Sequence, residues 1–132
     1  MHRVIDMYER IVTGLMLVVA VIHLLPITGF LGVERLAVLY GIEIRDSNIE
    51  ILMRHRAVLF GILGGFFAFA AFRPALQPVA FLAAFVSLAS FFFLTLSVTG
   101  FNDAIRKIIT ADIVASVCLA AAIVVYVIKR DS

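Results

Sequence analysis

The sequence is poor in charge and almost free of cysteine. Only 15% of its 132 residues are Asp, Glu, Lys or Arg, against about a quarter in an ordinary soluble domain. Cys118 is the single cysteine. No disulfide can form within the chain, and dithiol redox chemistry, which needs a pair, is excluded. A net charge of +2 is too small to point to a nucleic-acid partner. Neither a zinc site nor a calcium loop can be assembled from the residues present. P-loop, GxSxG and HExxH patterns are missing as well. No metal or cofactor is therefore expected.

What the chain does have is apolar surface. Hydrophobic residues make up 64% of it, and the mean hydropathy is +1.13. A globule of this size cannot hide so many apolar residues, because small domains bury only part of their surface. The expected fold class is all-α, an integral membrane four-helix bundle forming one domain over residues 1–132. The spans are expected at about 11–28, 53–72, 79–98 and 108–128. Each approaches the roughly 20 residues, about 30 Å, of a membrane-crossing helix. None alternates as barrel strands would. The first span reads as a retained helix, since Asp6 and Glu9 stand in its leader and no small-x-small cleavage site follows.

Boundary signals agree with these spans. Ser47 and Glu50 form a capping box with Asp46 just before it, so the second helix should start near Asn48. Arg73-Pro74 ends it, and Gln77-Pro78 opens the third helix. Asn102 or Asp103 can cap the fourth. The only long connection, Gly29 to Ser47, contains VERLAVLY (33–40), which can form a short interfacial helix. Four spans put both termini and Arg73 on one side. That side carries Arg3, Arg10, Arg73, Lys129 and Arg130, and the other carries Arg35, Arg45, Arg54, Arg56, Arg106 and Lys107. Removing Arg54 and Arg56, if the bundle takes them up, tips the balance towards cytoplasmic termini.

Ionisable residues inside the spans are the informative ones. A charge near the middle of a membrane helix costs roughly 2.5–3.5 kcal/mol on insertion scales. His23, the run Arg54-His55-Arg56, and Asp112 should meet at the long-loop end at similar depth, by a rise of about 1.5 Å per residue. Together they form the expected ligand-binding set. An ion pair between Asp112 and Arg54 or Arg56 is expected. The bland readings are a structural salt bridge for Asp112, snorkelling for the arginines, and a hydrogen-bonded interior position for His23. Helical phase groups Arg54 with Gly61 and Gly65, a GxxxG pair, and Ala111 with Ala115; both small stripes are expected packing faces. The hydroxyls of the third helix, Ser87 among them, are expected to bond back to their own carbonyls.

The elements HLLP (23–26), LYG (39–41), RHRAVLFG (54–61), FRP (72–74) and ADIVA (111–115) resemble a family of small bacterial four-helix membrane proteins with no established activity. Some of its members carry a phosphopantetheine adenylyltransferase label. That activity implies a soluble nucleotide-binding α/β fold with an HxGH motif, and this chain has neither. In helix number and length the chain is also similar to DoxX-like proteins. The resemblance implies a multi-pass protein of the bacterial inner membrane.

Three functional readings follow. In the preferred one, the polar end binds an anionic or amphipathic small molecule or a lipid headgroup, with arginine holding the anion and Asp112 orienting the arginine. In the second, the chain is an accessory subunit that forms homo-oligomers through its small-residue faces. The third is a membrane enzyme or proton-coupled transporter with a His/Asp relay.

Overall fold

A computed structural model describes residues 2–132. It contains α1 (His2–Leu24), α2 (Val33–Tyr40), α3 (Ser47–Ala71), α4 (Gln77–Ser97) and α5 (Asp103–Asp131). Short 3-10 turns, Leu25–Leu31 and Pro74–Leu76, follow α1 and α3. No strand occurs among the described residues. The four long helices are long and apolar enough to cross a membrane, and the chain is a multi-pass membrane protein. Its outward faces carry exposed Val21, Ile62, Phe85 and Val117, as lipid contact requires.

The bundle is built around α1, which packs mainly against α3 and α5, while α4 closes the far side against α5 and α3. In lipid, helices associate through close packing of small residues and through internal hydrogen bonds. The core follows that rule. Met16, Val19 and Ala20 of α1 meet Phe67, Ala70 and Ala71 of α3, Ala80 and Ala84 of α4, and Ala115, Leu119 and Ala122 of α5.

The close approach of α1 to α3 depends on Gly64. A Cβ there would lie 2.7 Å from Leu24 Cγ and 3.0 Å from the Ala20 carbonyl oxygen. Of the expected GxxxG pair, Gly61 faces Ile27 in the turn after α1, where a Cβ would come within 2.6 Å, and Gly65 faces open space. The glycine at the α1–α3 contact is thus offset by one residue from the expected stripe. On α5, Ala115 is fully buried and Ala111 borders a cavity.

Helix ends are closed by side chains. Asp46, rather than Ser47, caps α3 and accepts a hydrogen bond from Asn48 N at 2.7 Å; Glu50 does not complete a capping box and turns to Arg54 instead. At the other end of α3, Gln77 (2% exposed) donates to the Ala70 and Ala71 carbonyls, and Thr13 Oγ1 lies 2.7 Å from the Ala71 carbonyl. Asn102 accepts from Ile105 N at 2.9 Å to cap α5, while its Nδ2 donates to the Tyr40 and Gly41 carbonyls. One side chain therefore ties the end of α2 to the start of α5. Gly41 has φ 64, left-handed backbone that favours glycine, and a Cβ there would strike Asn102. At the terminal end, Lys129 pairs with Glu9 at 3.4 Å, joining α5 to α1.

Gly64→Val should destabilise the bundle by about 1–3 kcal/mol through overpacking, whereas Gly65→Val should leave stability unchanged. Thermal unfolding in detergent measures both.

Candidate functional site

Residues from all five helices surround a cavity of about 310 Å³ at the long-loop end. The wall is mostly apolar, including Ile22, Leu39, Phe91 and Ile108. Its polar members are His23, Tyr40, Arg56, Ser87, Lys107 and Asp112.

His23 forms the floor. It is 3% exposed, seated where the last turn of α1 crosses the bundle. Its Nδ1 lies 2.9 Å from the Val19 carbonyl and its Nε2 lies 3.0 Å from Ser87 Oγ. A carbonyl can only accept, so Nδ1–H is the donor there, and Nε2 is left to accept the Ser87 hydroxyl proton. This bond spans α1 and α4, which otherwise share little contact. The ring also meets Phe67 edge-on, with centroids 4.9 Å apart, and stacks at 6.1 Å on Phe60. Ser87 departs from the expectation for α4 hydroxyls. Ser90, Thr95 and Ser97 do bond to carbonyls of their own helix, but Ser87 reaches His23.

Arg56 forms the side wall. Its guanidinium lies 4.5 Å over Phe60 and 5.3 Å over Tyr40, and it donates to the Tyr40 hydroxyl. Aromatic faces stabilise a cation without consuming its N–H groups, and Tyr40 engages only Nη1. Most of the guanidinium fork remains free to donate.

Asp112 lies across the cavity from α3, on the same face of α5 as Ala104, Ile108 and Ala111. Among the described residues, no salt bridge or side-chain hydrogen bond reaches its carboxyl group. The expected ion pair with Arg54 or Arg56 is therefore not formed; Arg56 is engaged by Tyr40 and Phe60, and Arg54 points elsewhere. Lys107 stands at the mouth, one helical turn nearer the surface than Ala111.

The remaining predicted site residues lie outside this cavity. Arg54 donates to the Phe30 carbonyl at 2.9 Å, pairs with Glu50 at 3.4 Å and sits over the Phe30 ring. His55 is exposed on the outer face of α3. Three consecutive helical residues fan over about 200°, so only one of the three can face inward, and that one is Arg56. Sequence reading also missed Tyr40 and Lys107. Tyr40 is brought in by α2, and Lys107 shares the cavity face of α5 with Ala111 by its four-residue spacing.

Among the described residues, no group of three or more His, Cys, Asp and Glu side chains is placed to hold a metal. No family model, curated protein or solved structure matches the chain.

Ser87→Ala should cost about 1–3 kcal/mol, the penalty of leaving a buried acceptor on His23 unpaired. Ser87→Thr, which restores the hydroxyl, should recover most of it. Asp112→Asn, breaking no ion pair, should keep wild-type stability in the same unfolding assay.

Proposed function

We propose that the chain is a bacterial inner-membrane protein that binds an amphipathic molecule whose head carries a phosphate or carboxylate in the cavity at the end of its bundle. The observation that carries this reading is that Arg56 and Lys107 both line a mostly apolar cavity of about 310 Å³. Ligand sites commonly have about 300–1,000 Å³ and few polar groups. A guanidinium presents a planar fork suited to a phosphate or carboxylate, and an ammonium adds a point charge. The apolar wall suits hydrocarbon.

Depth supports the same reading. Lys107 lies four residues into α5 and Asp112 nine, about 6 Å and 13.5 Å from its start at 1.5 Å per residue. The polar groups thus span the layer where lipid heads meet lipid tails. Bacterial origin and inner-membrane location follow from the family resemblance. Arg56 turns into the cavity and Arg54 onto the Phe30 carbonyl, which leaves the terminal side with the larger share of free Lys and Arg. Cytoplasmic termini follow.

Native mass spectrometry of the protein released from lipid nanodiscs tests the binding. Wild type should retain about one such amphiphile per chain, and the Arg56→Gln/Lys107→Gln pair should lose it at least about tenfold. Arg54→Gln, outside the cavity, should retain it. Equal retention by all three proteins would overturn the reading.

A further inference from the structure

Resting on that reading, we infer that the cavity selects a zwitterionic head: a phosphate set against Arg56 and Lys107, and an N–H-bearing ammonium set against Asp112. The observation is the arrangement of charge around the space. The cavity wall holds two cationic side chains and one carboxylic acid, on α3 and α5. The two cations suit an oxyanion. Asp112 lines the same partly open space, and among the described residues no salt bridge or side-chain hydrogen bond reaches its carboxyl group.

A purely anionic occupant solves only half of this. It satisfies Arg56 and Lys107 but brings like charge towards Asp112. A carboxylate has acceptor sites and no donor, and once a bound head displaces water from the half-buried Asp112 it requires hydrogen-bonded compensation. An occupant with a primary ammonium two carbons from its phosphate supplies both halves at once. Its three N–H groups match the acceptor sites of Asp112, and its phosphate matches the free guanidinium fork. A trimethylammonium has the charge without N–H groups and leaves the carboxylate without hydrogen bonds. His23 is committed to Val19 and Ser87, and Tyr40, which accepts from Arg56 and keeps its own hydroxyl proton, makes no hydrogen bond to Asp112.

The same head chemistry occurs in phosphatidylethanolamine and in free phosphoethanolamine. The apolar lining, with Leu25 and Val38 exposed at the cavity border, favours the lipid, whose chains can leave along those side chains.

The test is native mass spectrometry of the full chain from nanodiscs containing equal parts phosphatidylethanolamine, phosphatidylcholine and phosphatidylglycerol. Wild type should retain phosphatidylethanolamine at least about threefold over each of the others. Asp112→Asn should still retain lipid but lose the preference over phosphatidylglycerol. Asp112→Glu should recover the preference, which a merely structural role at this position does not explain. Lipid retained without a phosphatidylethanolamine preference, or a preference untouched by Asp112→Asn, overturns the zwitterion proposal and leaves the underlying amphiphile reading intact. Retention of no lipid overturns that underlying reading as well. Free phosphoethanolamine at millimolar concentration should not displace the bound lipid; displacement overturns the assignment to a lipid.

Discussion

Inside a bilayer a polar group has no water to fall back on, and must find its partner within the protein. That constraint organises this molecule more than any single contact does. The last carbonyls of α3 are met by Thr13 and Gln77, arriving from α1 and α4. In the middle, His23 and Ser87 satisfy each other across the bundle, which draws α4 towards α1 where the helices make little other contact. At the loop end Asn102 closes the start of α5 with one atom and the end of α2 with another. Each polar pair joins two elements, so satisfying the groups and assembling the bundle are the same event.

Against that background the cavity stands apart. It is where the internal solution stops: among the described residues no salt bridge or side-chain hydrogen bond reaches the Asp112 carboxyl, Lys107 stands at the mouth, and Arg56 keeps most of its donors free. The aromatic stack explains why Arg56 does not swing across to Asp112. Its guanidinium is held between Phe60 and Tyr40, and Phe60 leans in turn on His23. The arginine is fixed by contacts that leave its hydrogen-bonding edge open.

Much of the architecture was legible from residues alone. Four long apolar helices formed as expected, and VERLAVLY formed the expected short helix, burying Leu36 and Tyr40. The rotation of α3 was not legible. Taking Arg54 as the inward residue predicts Gly65 as a packing position; the helix instead turns Arg56, Phe60, Gly64 and Phe67 inward. Arg56 stands about 200° from Arg54 and Gly64 about 260° from Gly65 in the same sense, so one rotation of roughly 230° accounts for both differences. Nothing local fixes that phase, because apolar residues surround α3 and either orientation suits lipid. Ser87 was hidden for a related reason. A hydroxyl on a membrane helix bonds back to its own carbonyl unless another helix offers an acceptor, and His23 is far away in sequence.

The central claim is that Arg56 and Asp112 are held apart to receive a ligand, not to pair with each other. A density map of the protein in nanodiscs formed from native membrane, without added detergent, tests it most directly. The account predicts an ordered non-protein feature between the two side chains, with its strongest peak beside Arg56 and Lys107 and a tail leaving past Leu25 and Val38. A collapsed cavity with Arg56 and Asp112 in direct salt-bridge contact would contradict it.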